Sequence, residues 1–205
     1  MSEESVDEEK RATLRRFAAV GAGGPLARLA GSDSQDDETT SEVPAAIRGY
    51  LATTPGAHFS KLRDDLRLGT GEAQYHLRRL VERGAITSWK DGDYRRYAPA
   101  SRFSDFERRA LGFLRRDTAR GLVVELLRDP DATGTELADR LGVSAPTVSK
   151  YAAELADAGL LDRSDGYTLT RPETTLLLLV RYADSFGDDA VALAADADEL
   201  VEYSG

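Results

Sequence analysis

The sequence predicts a mainly α-helical protein with small β-hairpins, built as two tandem copies of one compact domain followed by a C-terminal helical tail. Three observations carry this. Residues 47–86 align without a gap to residues 122–161 at an offset of 75. Each copy contains short segments with helical apolar spacing, and each is followed by two β-rich runs around a glycine-bearing turn. The identities are Leu51/Leu126, Pro55/Pro130, Ala57/Ala132, Leu62/Leu137, Asp64/Asp139, Leu66/Leu141, Leu80/Leu155 and Gly84/Gly159. Most are apolar or turn positions, which two copies of one small fold must retain while surface charge drifts.

Taken in order, Leu14, Phe17 and Ala18 share a face and predict an amphipathic N-terminal helix. Residues 31–42 carry no apolar side chain and read as a solvated linker. In the first copy a helix ends before Pro55, because the pyrrolidine ring makes continuation costly. A second helix holds Leu62 and Leu66 four apart, and the turn Leu68-Gly69-Thr70 leads into a third, from Gly71 to about Arg83, with Ala73, Leu77, Leu80 and Val81 inward. Gly84 closes it. The runs Ile86 to Lys90 and Tyr94 to Ala98 flank Asp91-Gly92-Asp93, a hairpin signal.

Ser104-Asp105-Phe106-Glu107 has capping-box spacing and opens a helix with Phe106, Ala110, Phe113 and Leu114 inward. The second copy repeats the plan: Leu137 and Leu141 on its second helix, a turn at Val143-Ser144, then Val148, Ala152, Leu155 and Ala156 inward. Gly159 ends that helix, and Leu160 to Arg163 and Tyr167 to Thr170 form a hairpin. Thr170-Arg171-Pro172-Glu173 again has capping-box spacing and predicts a helix carrying Leu176 to Val180 and Phe186. A last helix from Asp188 to about Tyr203 places Ala190, Leu193, Ala197 and Leu200 on one stripe. Four consecutive leucines cover most of a helix circumference, so self-association through the tail is the economical expectation. The resulting divisions are 1–42, N-terminal helix and acidic linker; 43–100, first domain; 101–171, second domain with its leading helix; and 172–205, C-terminal helices for dimerisation.

The net charge of -9 argues at first against a polyanionic partner. Counted by segment, that objection fails. Residues 43–100 hold ten basic and six acidic side chains, whereas residues 172–205 hold one and eight. The basic side chains are arginines except for Lys10, Lys61, Lys90 and Lys150. An acidic surplus with so few lysines and no cysteine resembles the composition of proteins from salt-loving archaea, where acidity serves solubility. The lack of cysteine excludes disulfides and thiolate metal sites, and two histidines, His58 and His76, leave no histidine-rich metal site. No cofactor is implied. The run Leu176 to Val180 is far short of the roughly 20 residues that span a bilayer. Arg15-Arg16 ahead of a small apolar stretch resembles a twin-arginine export signal, but the acidic lead-in and Arg28 argue for a cytoplasmic protein. Acidic pairs such as Asp64-Asp65 and Asp188-Asp189 are ordinary on such a surface, and neither a phosphate loop nor a nucleophile elbow is present, so an enzyme is not expected.

The major groove of DNA admits one α-helix that buries one face and presents donors on the other. The third helix of the first copy fits, with Glu72, Gln74, Tyr75, Arg78 and Arg79 outward and Thr70 at its entrance. Lys90, Arg95 and Arg96 flank the hairpin turn where phosphates would lie, while Trp89 and Tyr97 pack on the domain. His76 sits at the edge of the buried stripe, and His58 is a surface or capping residue. The segment Tyr75-His76-Leu77-Arg78-Arg79-Leu80 followed by Gly84-Ala85-Ile86 resembles the third helix of archaeal winged helix-turn-helix transcription regulators. Leu141-Gly142-Val143-Ser144-Ala145-Pro146-Thr147-Val148-Ser149-Lys150 is similar to the same helix in MarR-type regulators and their ArsR and TrmB relatives. Gly71 and Glu72 depart from that pattern, which has Ser or Thr there. The resemblance covers about residues 43–171. It implies two tandem winged helix-turn-helix domains plus a C-terminal helical tail and double-stranded DNA as partner, while the leucine-rich tail points to a homodimer. The second copy's helix offers Pro146, Thr147, Ser149 and Lys150, but its domain is acidic and Ala153 and Glu154 replace the paired arginines, so weak DNA contact and a protein-interaction module both stay open for it. Two other readings stay open on the sequence: a protein-interaction adaptor that keeps the fold, acting through the second domain or tail, and a general chromatin-binding protein.

Overall fold

The computed structural model describes residues 3–21 and 38–197, and the chain divides into two compact units, residues 1–102 and 103–205. In the first unit, helix α1 (Glu3–Gly21) packs on α2 (Glu38–Thr53). Leu14 enters the same core as Val43, Ala46, Ile47 and Tyr50, and the Phe17 ring meets Tyr50 edge-on at 5.3 Å. The N-terminal helix therefore packs into the first unit. The linker expectation is also corrected in part: residues 38–42 are helical, and Glu42 pairs with Arg15 at 3.5 Å, while residues 31–37 and Ala22 to Gly24 lie outside the described residues. A stretch without apolar side chains can be helical when its neighbour supplies the packing.

A short strand β1 (Ala57–His58) follows, then α3 (Phe59–Asp65), α4 (Thr70–Glu82), β2 (Ile86–Asp91) and β3 (Tyr94–Pro99). The sheet order is β1-β3-β2, antiparallel throughout, with Ala57 opposite Tyr97, Trp89 opposite Arg96 and Lys90 opposite Arg95. His58 caps α3, its Nδ1 accepting the Lys61 N–H at 3.3 Å. Ala73, His76, Leu77 and Leu80 form the buried face of α4. Val81, expected inward, is exposed, because the stripe turns away from the core at the last turn of the helix.

The second unit contains α5 (Asp105–Leu114), α6 (Asp117–Arg128), α7 (Gly134–Leu141), α8 (Ala145–Asp157), β4 (Leu161–Asp162), β5 (Thr168–Leu169), α9 (Pro172–Arg181), α10 (Ala183–Phe186) and α11 (Asp188–Ala195). Ser104 and Glu107 form the expected capping box of α5. The offset of 75 relates α4 to α8 end for end, and Gly84 and Gly159 both take positive φ, 66° and 71°. Ala156 is half-buried, where full burial was expected.

Two expectations about the tail are corrected. Thr170 does not cap α9: its hydroxyl donates to the Gly159 carbonyl at 2.9 Å, and the N-cap falls to Arg171 without a side-chain bond. The helix expected to run on to Phe186 stops at Tyr182, whose carbonyl accepts the Ser185 hydroxyl at 2.8 Å. Arg115 stacks over Phe186, 4.3 Å from its centroid, and donates to Ser185. The tail belongs to the second unit. Buried Arg120 of α6 bonds both Asp189 oxygens at 2.8 and 2.9 Å, which docks the start of α11. Ala190 and Leu193 are buried, Ala197 is half-buried, and residues 198–205, Leu200 and Tyr203 among them, lie outside the described residues.

Candidate nucleic-acid interface

Helix α4 starts at a left-handed turn. Arg67 has φ 53°, and its equivalent in the second copy, Gly142, has φ 63°. An arginine in this region is strained where glycine is not. Gly69 is the N-cap, and its N–H donates to the Glu72 carboxylate at 3.2 Å. That carboxylate also receives Lys10 of α1 at 3.0 Å, so Glu72 is half-buried and occupied, not turned outward as expected. His76 lies at the edge of the buried face, and burial holds its imidazole below the ordinary histidine value against the opposing field of Glu72.

The outward face of α4 carries Thr70, Gln74, Tyr75, Arg78 and Arg79, all exposed, with Tyr75 at 49 %. Arg79 lies over the Tyr75 ring at 6.0 Å, and Arg78 approaches Glu82 at 3.7 Å, a pair too exposed to hold it. Beside this face runs a groove of about 200 Å³ between α4 and the hairpin. Gln74 and Arg78 line it from the helix, Ser88 and Arg95 from the strands.

The hairpin sorts its basic residues by strand alternation, since successive side chains point to opposite faces. Ser88, Lys90, Arg95 and Tyr97 share one face by register, and Trp89, Asp91, Tyr94 and Arg96 share the other. Lys90 and Arg95 stand directly opposite each other, both exposed; Arg95 donates to the Ser88 hydroxyl at 3.3 Å. Among the described residues no carboxylate pairs with either. Like charges opposite each other on a sheet destabilise it, so the arrangement favours an anion between them. Arg96 goes the other way. It is 2 % exposed, donates to the Asp91 carboxylate and to the Gly56 carbonyl at 2.9 Å, and lies over the Tyr94 ring at 5.7 Å. Its expected role at the phosphates is corrected: it is an internal tie between the hairpin and the Gly56 turn.

In the second unit, Ser149 and Lys150 are exposed on α8, and Lys150 lies 3.9 Å from Glu154. Thr147 is half-buried; its N–H donates to the Ser144 hydroxyl at 3.3 Å and its own hydroxyl lies 2.8 Å from it. Its chemistry is thus largely committed to starting the helix. The hairpin β4–β5 is short. Asp162 accepts the Ser164 N–H at 2.8 Å, an interaction that holds its carboxyl below the usual range, and Arg163 is the one cation of the stretch 161–170. The pair of facing cations seen in the first hairpin has no equivalent. Among the described residues no cluster of three or more His, Asp or Glu side chains could hold a metal, and no helix is long and apolar enough to cross a membrane.

The geometry is that of two tandem winged helix-turn-helix domains, the class to which DNA-binding transcription regulators belong. More particularly, residues 41–111 match a family described as an N-terminal HTH domain, and residues 117–168 match the MarR family. The first match runs from within α2 to within α5, and the second begins at the first residue of α6. Searches of the curated proteins and of the solved structures gave no match.

Proposed function

We propose that the protein is a sequence-reading transcription regulator that binds double-stranded DNA mainly through its first domain, as a homodimer in the cytoplasm. One observation carries the reading: Gln74 and Arg78 of α4 and Arg95 of the hairpin line a single groove, with Lys90 opposite Arg95. Gln suits adenine and Arg suits guanine or phosphate, so α4 reads the major groove while the hairpin grips the backbone. Thr70, Tyr75 and Arg79 extend the same face along α4. Ser149 and Lys150, with Thr147 at the helix start, give the second domain a weaker, auxiliary contact. Support for the homodimer comes from α9, where Leu177 is 70 % exposed and Val180 lies on the same outward side. Leu176 and Leu177 also border an apolar groove of about 570 Å³ with Leu127, Tyr167 and Leu169. A second copy would cover that surface.

The test is selection from a random duplex library in concentrated potassium chloride. Enrichment of a two-fold symmetric site is the expected result. Binding without any preferred site would favour the general chromatin reading, and no binding at all would favour the adaptor reading.

A further inference from the structure

We infer that Arg67 is a phosphate-binding residue of the first domain and that Glu9 of α1 holds it in reserve, so that α1 sets the strength of DNA binding. The inference rests on the DNA-binding reading above. Arg67 stands in the turn that feeds α4, between buried Leu66 and Leu68, and its backbone is fixed by an N–H bond to the Asp64 carbonyl at 3.1 Å. The second copy places Gly142 at this left-handed position, where glycine is unstrained, whereas arginine here is conformationally disfavoured. That side chain is 47 % exposed, and its guanidinium is engaged by the Glu9 carboxylate.

Glu9 does not act alone. Its neighbour Lys10 is bound to Glu72 at 3.0 Å, so two adjacent residues of α1 clamp the entrance of the recognition helix, and buried Leu14 anchors the helix one turn further on. A duplex seated on α4 brings a dense line of phosphates to this entrance, where they compete with the Glu9 carboxylate for Arg67. Phosphate and carboxylate bind guanidinium in the same bidentate way, so one replaces the other without rebuilding the turn.

The experiment uses the full chain and a duplex selected by the wild type, with affinity read by fluorescence anisotropy across a potassium chloride series. Glu9→Gln should bind about threefold more tightly at the low-salt end, with a steeper salt slope that differs from that of Arg67→Gly by about 0.9, the value of one phosphate contact. Arg67→Gly, which suits the left-handed backbone and so keeps the fold, should bind more weakly with a shallower slope. The double variant should match Arg67→Gly alone. An unchanged affinity and slope for Glu9→Gln overturns the inference, as does a gain that survives in the double variant, since Arg67 would then not be its source. Wild-type protein that binds no duplex overturns the DNA-binding reading itself, a result distinct from either.

Discussion

Replacing Arg96 with Ala removes the side chain that ties the first domain's hairpin to the turn at Gly56. The loss removes the Arg96 guanidinium from the Asp91 carboxylate, 14 % exposed, and from the Gly56 carbonyl. Breaking a buried ion pair by removing one partner costs about 3 to 5 kcal/mol, and an unsatisfied carbonyl about 1 to 3. Because Asp91 keeps some contact with water, a total of about 3 kcal/mol is expected, against about 5 to 15 for a whole domain. Trp89 is the single tryptophan and sits opposite Arg96 in the sheet, so its fluorescence reports this unit in a urea titration. The midpoint should fall by about 2 M at a typical slope for a unit of this size. Arg95→Ala, one residue away but on the opposite face, should leave the midpoint within error and weaken DNA binding instead. A midpoint for Arg96→Ala shifted by less than the equivalent of about 0.5 kcal/mol, the range of ordinary surface changes, would refute the assignment of Arg96 to the interior.

Other expectations follow from the same structure. Leu14→Ala should destabilise the first unit by about 2 kcal/mol in the same fluorescence titration, because Leu14 is buried against α2; no change would show that α1 is not part of that core. Gly142→Ala should cost about 1 kcal/mol in a thermal melt, since the second turn holds its glycine at positive φ. The native His76 imidazole is depressed from 6.5, so the unfolded chain binds its proton first. Stability should therefore decline as pH falls through about 6.5 and level off below the depressed native value, and His76→Gln should lose that component when the two pH series are compared.

The helix-turn-helix core of each domain is legible in the sequence because apolar periodicity, turn glycines and the ungapped repeat all point the same way. Helix α4 and its copy α8 align end for end, and Gly84 and Gly159 take the conformation their residue type suggests. The side chains of the interface are less legible. Lys90, Arg95 and Arg96 look alike in one dimension, yet strand alternation sends Arg96 to the opposite face, a signal present in the sequence but only usable once the register is known. Glu72 follows the outward helical spacing and is nonetheless taken up by Lys10, which lies 62 positions away in the chain. No local pattern encodes such a pairing. Arg67 attracts notice only when Gly142 is set beside it at the repeat offset. The break at Tyr182 is equally hidden, since it depends on Ser185 and on Arg115 from a distant helix.

The central claim is that the first domain dominates DNA contact, and one comparison tests it directly. Arg78→Ala/Arg79→Ala and Ser149→Ala/Lys150→Ala, each in the full chain, are measured against the wild type on the selected duplex. The first pair should lose at least about tenfold in affinity and flatten the salt slope by about one unit or more, while the second pair loses less than about threefold. Equal losses, or a larger loss from the second domain's pair, would contradict the claim.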